Sequence, residues 1–138
     1  MTLPISLISI TPIYTALLAV LFIVITLRIV VYRTKTNILI GDGDDIKMLQ
    51  LVRGQANFVE TVPIALILLV MMELNYASET WMHSLCAILL VARALHYIGL
   101  TELGPIACRA LGFLGTLSII AISAIWLLYT SAFLQTPL

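Results

Sequence analysis

Hydrophobic and polar positions alternate along the chain in long blocks rather than in turn-sized steps. Four apolar runs, each long enough to cross a bilayer, are separated by short polar segments. Crossing about 30 Å of hydrocarbon takes about 20 helical residues at 1.5 Å per residue. The first run is expected from about Pro12 to Tyr32, the second from about Asp45 to Leu74, the third from Trp81 to Leu100 and the fourth from Ile106 to Phe133. Pro4 suits a lead-in segment and Pro12 a first helical turn, where a missing N–H costs little. Pro63 falls inside the second run, frees the carbonyl of Val59 and predicts a kink beside Glu60. Gly112, Gly115 and Ser118 predict a small-residue edge on the fourth helix for close helix contact.

Composition agrees with this pattern. Of 138 residues, 62% are hydrophobic and 10% charged, against about 25% charged in a soluble domain. The mean hydropathy is +1.13. The fold class expected is an all-α membrane protein, one domain built as a four-transmembrane-helix bundle. Residues 1–14 lack a basic n-region and their apolar run is too long for a signal peptide, so this reads as a retained first span. Net charge is zero and the basic residues form no stripe, which argues against nucleic acid. Cys86 and Cys108 lack metal-ligand or disulfide spacing and read as structural thiols, with no metal site expected.

Charge is distributed unevenly along this frame. Every Lys and Arg lies in or beside the first and third loops, which predicts those loops on the cytoplasmic side and the termini outside. The first loop carries Gly41-Asp-Gly-Asp-Asp45, too few oxygen ligands for a calcium loop. Asp44 or Asp45 is instead expected to cap the second helix. Trp81 and His83 fall at the far interface. Arg28 reads as an interfacial anchor or as a cation reaching toward the second span.

The second span opens on Arg53-Gly-Gln-Ala-Asn-Phe-Val-Glu-Thr-Val-Pro63. At about 100° per residue, Arg53, Asn57 and Glu60 fall within an arc of roughly 60°. Polar groups gathered on one face of a membrane helix are expensive and mark a site by default. On the third span Arg93, His96 and Tyr97 share a face, and Arg109 opens the fourth. Antiparallel spans bring these groups to one depth with three arginines and one glutamate. An unpaired buried charge costs several kcal/mol, so an anionic ligand, a lipid head group or water would complete the cluster. The competing reading makes Arg53 and Arg109 interfacial anchors and Glu60–Arg93 a buried pair that sets helix register.

The segment Arg53-x-Gln-x-Asn57-x-x-Glu60-x-x-Pro63, with the preceding GDGDD, Arg93-x-x-His96 and Arg109, resembles the membrane-associated proteins in eicosanoid and glutathione metabolism. The likeness runs from about Arg33 to the end of the fourth span, and GDGDD, Arg93-x-x-His96 and Arg109 look like the bacterial branch. It implies a homotrimer in the bacterial inner membrane that binds glutathione between subunits, together with a lipophilic small molecule, within membrane lipid. It implies that Arg53, Asn57, Glu60, Arg93 and His96 hold the cofactor and that Arg109 stabilises its thiolate. Arg28 is expected to join the cofactor contacts by reaching toward the second-span cluster. Glutathione carries two carboxylates, an ammonium and a thiol, which suits an arginine-rich pocket with one acid. A guanidinium favours a thiolate over a thiol of unperturbed pKa about 8.5.

Two tyrosines of the family pattern are replaced by Thr61 and Leu100, so glutathione binding is the firmer implication and the electrophile is open. The function expected is glutathione transfer or peroxide reduction on lipophilic electrophiles. The alternatives are a non-enzymatic protein binding an anionic lipid or small anion at the same cluster, and a small multidrug exporter. The exporter is disfavoured because the first span carries no glutamate.

Overall fold

The computed structural model describes residues 8–133, so Pro4 lies outside the described residues. Four helices account for nearly all of them: α1 (Thr11–Thr36), α2 (Ile46–Leu74), α3 (Glu79–Leu100) and α4 (Ile106–Phe133). All four are long and apolar enough to cross a membrane. They form an all-α, four-helix membrane-spanning bundle. The tightest contact is between α3 and α4, α2 packs on all three others, and α1 and α4 do not meet.

α1 continues one turn past Tyr32 and ends at Asn37, whose left-handed φ of 59° breaks the helix after Arg33 and Lys35. Basic side chains in a last turn favour the negative end of the helix dipole. Asp45 rather than Asp44 caps α2: its side chain accepts from the Met48 N–H at 2.8 Å and from the Tyr32 hydroxyl at 3.0 Å. Asp44 sits at a φ of 58°, a turn position. α2 runs unbroken through Pro63.

Buried Leu, Ile and Met side chains fill the seams, among them Leu18, Ile25, Met48, Leu69, Met82 and Leu89. The closeness of α3 and α4 follows from two glycines. A Cβ on Gly112 would overlap the Ala92 carbonyl oxygen and the His96 backbone nitrogen; one on Gly99 would overlap the Arg109 backbone. Gly115 faces the Ala92 methyl from the same edge, while Ser118 is exposed and takes no part in the contact. Gly54 does the same for α2 and α3, because a Cβ there would meet the Tyr97 ring at 2.8 Å.

At the end of the bundle away from the arginines, α1 has no local side chain to cap it. Glu73 from the end of α2 fills that role. Its carboxylate accepts from the backbone N–H of Ser9 at 2.7 Å, Ile10 at 2.6 Å and Thr11 at 2.8 Å, and from the Thr11 hydroxyl. The first N–H groups of a helix have no partners within it, and a carboxylate suits the positive dipole end. Tyr14 and His83 close the same end, with the hydroxyl 3.2 Å from Nδ1.

Candidate functional site

The other end is built around one buried cation. Arg93 is 2% exposed and lies seven residues before the end of α3, about 10 Å along the helix. Its Nη1 donates to Asn57 Oδ1 and to Thr61 Oγ1, both at 2.9 Å, and its Nη2 donates to the Gly112 carbonyl at 3.0 Å. Nε has no partner among the described residues. The guanidinium thus bolts α2 and α4 to α3 through neutral oxygens, and Glu60 is not among its acceptors.

A guanidinium can only donate, so the Asn57 oxygen must face Arg93 and its Nδ2–H2 is left to donate elsewhere. Asn57 lines a cavity of about 600 Å³ at this end, together with Arg53, His96 and Arg109. That size is in the usual range of about 300–1,000 Å³ for small-molecule sites. Gln50, Phe113 and several aliphatic side chains complete the wall, and among the described residues no carboxylate lines it. His96 is tied in place by Nδ1, 3.0 Å from the Arg109 carbonyl oxygen, with its ring against Phe113 at 6.3 Å between centroids. Arg53 and Arg109 are exposed and line the cavity from α2 and α4.

Four of the residues singled out in the sequence, Arg53, Asn57, His96 and Arg109, therefore share one cavity. Arg93 stands behind Asn57 as its anchor. Glu60 is exposed and does not line the cavity of this chain. Arg28 does not line it either; its guanidinium carbon sits 5.3 Å from the centroid of the Tyr97 ring, a cation–π contact across α1 and α3. Thr61, conspicuous in sequence for what it replaces, is an acceptor of Arg93.

Gln50 is a cavity residue that the motif did not include. Its spacing from Arg53 and Asn57, three and seven residues, is a helical-face signal that could have found it. Its Nε2 donates to Glu102 Oε1 at 2.6 Å, which occupies the acid of the third loop at the cavity's edge. Glu73 had no such signal, since its partners lie more than sixty residues earlier in the chain.

The MAPEG family model matches residues 11–129, nearly the whole described bundle. Inner membrane protein YecN of Escherichia coli K12 is 36% identical over 91 residues, covering 65% of this chain and 69% of that protein. The protein of the same name from Escherichia coli O6:H1 matches to the same extent.

Proposed function

The chain belongs to the MAPEG family, and from that premise we propose that it is a glutathione-dependent transferase or peroxidase of the bacterial inner membrane. Family membership supports glutathione-transferase-like function in general, and the cavity supports the particular reading. The observation that carries it is a cavity whose polar lining offers two guanidiniums, the Asn57 and Gln50 amides and His96, with no acid among the described residues. Such a lining suits a ligand with two carboxylates and an ionisable thiol. In this reading Arg53 and Asn57 hold carboxylates, Arg93 keeps the Asn57 amide turned toward the ligand, and Arg109 stabilises the thiolate. A thiolate beside a guanidinium is a ready nucleophile at neutral pH.

The reading includes a homotrimer. Arg53, Asn57, Glu60, Ile64, Ile67 and Met71 are exposed or half-exposed and recur every three or four residues along α2. That is the spacing of a helix seam that packs against another helix. A glutamate facing lipid is costly, and a second copy covering this seam would relieve it. Glu60 would then meet the ligand's ammonium, and Arg28 its carboxylates, from the subunit boundary. The basic end faces the cytoplasm, where the thiol is abundant in reduced form, and the Glu73 end faces outward.

Calorimetric titration of the detergent-purified protein with glutathione is expected to give saturable heat, and the same sample is expected to run as a trimer by light scattering. No heat at millimolar glutathione rules the reading out. A second occupant is favoured by Ile46 and Ile106, 74% and 80% exposed at the cavity mouth, which suit an acyl chain. Heat with anionic lipid but none with glutathione would select that alternative.

A further inference from the structure

The hydrogen bond to His96 settles more than the position of its ring. A backbone carbonyl only accepts, so the Arg109 oxygen at 3.0 Å requires a proton on Nδ1. When the ring is neutral, Nε2 therefore carries the lone pair. His96 is 7% exposed, yet it lines the cavity. Among the described residues Nε2 has no partner, and it is not one of the sealed polar atoms that lack one. The ring thus presents a fixed basic acceptor to the cavity, in a wall where Arg53, Arg109 and the Asn57 amide nitrogen donate. Apart from the Asn57 oxygen held by Arg93, the only other acceptor among the described lining side chains is the non-basic amide oxygen of Gln50.

Building on the glutathione reading above, we propose that His96 Nε2 is the base that takes the thiol proton of the bound ligand. In this step the S–H bond breaks, its electron pair stays on sulfur and an N–H bond forms at Nε2. The thiolate then attacks the electrophile. With a chlorinated aromatic acceptor the C–S bond forms, the C–Cl bond breaks and chloride leaves with the bonding pair. The imidazolium returns its proton to cavity water.

The charges around the ring act on the sulfur side of this transfer by stabilising the thiolate, and the thiolate in turn is what stabilises the imidazolium facing it. Arg53 on α2 and Arg109 on α4 line the same cavity, and Arg93 lies one turn earlier on α3. From α1, Arg28 is turned onto the Tyr97 ring. The acids at this end are placed elsewhere: Glu60 lies outside the lining, Glu102 is held by Gln50, and Asp45 is held by Met48 and Tyr32. Among the described residues no carboxylate lines this cavity, and Glu102, which shares the adjoining pocket with Arg109, is engaged by Gln50, so the guanidiniums can hold the thiolate as it forms. Arg109 contributes twice, its guanidinium toward sulfur and its carbonyl fixing the tautomer of the base.

The test counts protons on the unaltered protein. Glutathione is titrated calorimetrically at neutral pH in buffers of different ionisation enthalpy, while thiolate is followed by its ultraviolet absorbance. The expected result is thiolate formation without matching proton release, because His96 keeps the proton. Thiolate with about one proton released per site would mean that the arginines alone ionise the thiol into water. That result overturns the proposal.

His96→Asn keeps an N–H for the Arg109 carbonyl but has no lone pair at the Nε2 position. It is expected to lower kcat about 10²–10³-fold, the usual worth of a general base, and to lose the acid limb of the rate profile. KM for glutathione should change far less than kcat, since Arg53, Asn57 and Arg109 are untouched. Added imidazole should restore part of the rate to His96→Ala. A His96→Asn variant with the parent's kcat and acid limb also overturns the base. Absence of any glutathione heat in the parent removes the reading beneath it, and the base with it, which is a different result from thiolate with proton release.

Discussion

The two ends of the bundle treat buried charge in opposite ways. At one end the Glu73 carboxylate collects four donors from the start of α1, and nothing is left over. At the other, Arg93 spends its Nη donors on three neutral oxygens, while Arg53 and Arg109 line a cavity with no carboxylate among its described residues. A charge that the chain itself satisfies is structural: it locks one helix end to another and asks for nothing more. A charge surplus that the chain leaves facing a cavity is what an anionic ligand would complete. Both ends sit in apolar helices of similar composition, so the difference lies in how donors and acceptors balance.

Removing the satisfied charge should do the most. Glu73→Ala strands the first N–H groups of α1 in an apolar surround and is expected to cost about 3–5 kcal/mol. A melt in detergent reads this as a large fall in Tm. The additional stabilisation by glutathione should persist, and if that increment vanished as well, the two ends would not be separate.

Arg109→Ala is the converse. Its rate with glutathione and a chlorinated aromatic acceptor should fall about 10²–10³-fold, or about 2.7–4 kcal/mol. Its Tm should stay near the parent's, because the side chain is exposed. A variant as fast as the parent would return Arg109 to the role of an interfacial anchor.

Gly112→Ala blurs the contrast by design. The new methyl would collide with Ala92 and His96, and overpacking of this kind costs about 1–3 kcal/mol. Because Gly112 also accepts from Arg93, glutathione affinity should fall together with stability. Full affinity in a destabilised Gly112→Ala would show that the cavity does not depend on the spacing of α3 and α4.

The smallest effect belongs to Asp45, outside the apolar spans. The Met48 backbone N–H, and after it the Tyr32 hydroxyl, hold its carboxyl below the ordinary carboxylate value. A lowered folded pKa stabilises the fold at pH above the unfolded value of about 3.9. That contribution is lost as pH falls through the folded value. Asp45→Asn should therefore narrow the gap in Tm between neutral and strongly acidic solution, and an unchanged gap would show that the cap is idle.

Much of the basic end was legible from periodicity. The i, i+4, i+7 rhythm of Arg53, Asn57 and Glu60 foretold a shared face, and antiparallel spans foretold that Arg93, His96 and Arg109 would meet it. The rhythm could not place Glu60 relative to the cavity wall. An arc of roughly 60° is wide enough for Arg53 and Asn57 to line a cavity while Glu60 faces out of this chain. Nor could it choose the acceptors of Arg93. A nearby acid is the obvious partner for an arginine, but Asn57, Thr61 and the Gly112 carbonyl are what helix packing brings within reach. The Gly99 contact with Arg109 was missed because its partner lies on another helix, whereas Gly112 was found by its neighbour Gly115.

Four spans, the basic end and the MAPEG-type motif are properties of local order, because hydropathy and helical spacing depend on neighbours within a few turns. The cap on α1, the turned amide of Asn57 and the proton on His96 Nδ1 are not. Each depends on a hydrogen bond between helices, and such a bond exists only where packing places a donor within about 3 Å of an acceptor. Glu73 reads in sequence as one acid near a loop. It becomes the anchor of the far end because the fold sets it against three backbone N–H groups that had no partner of their own.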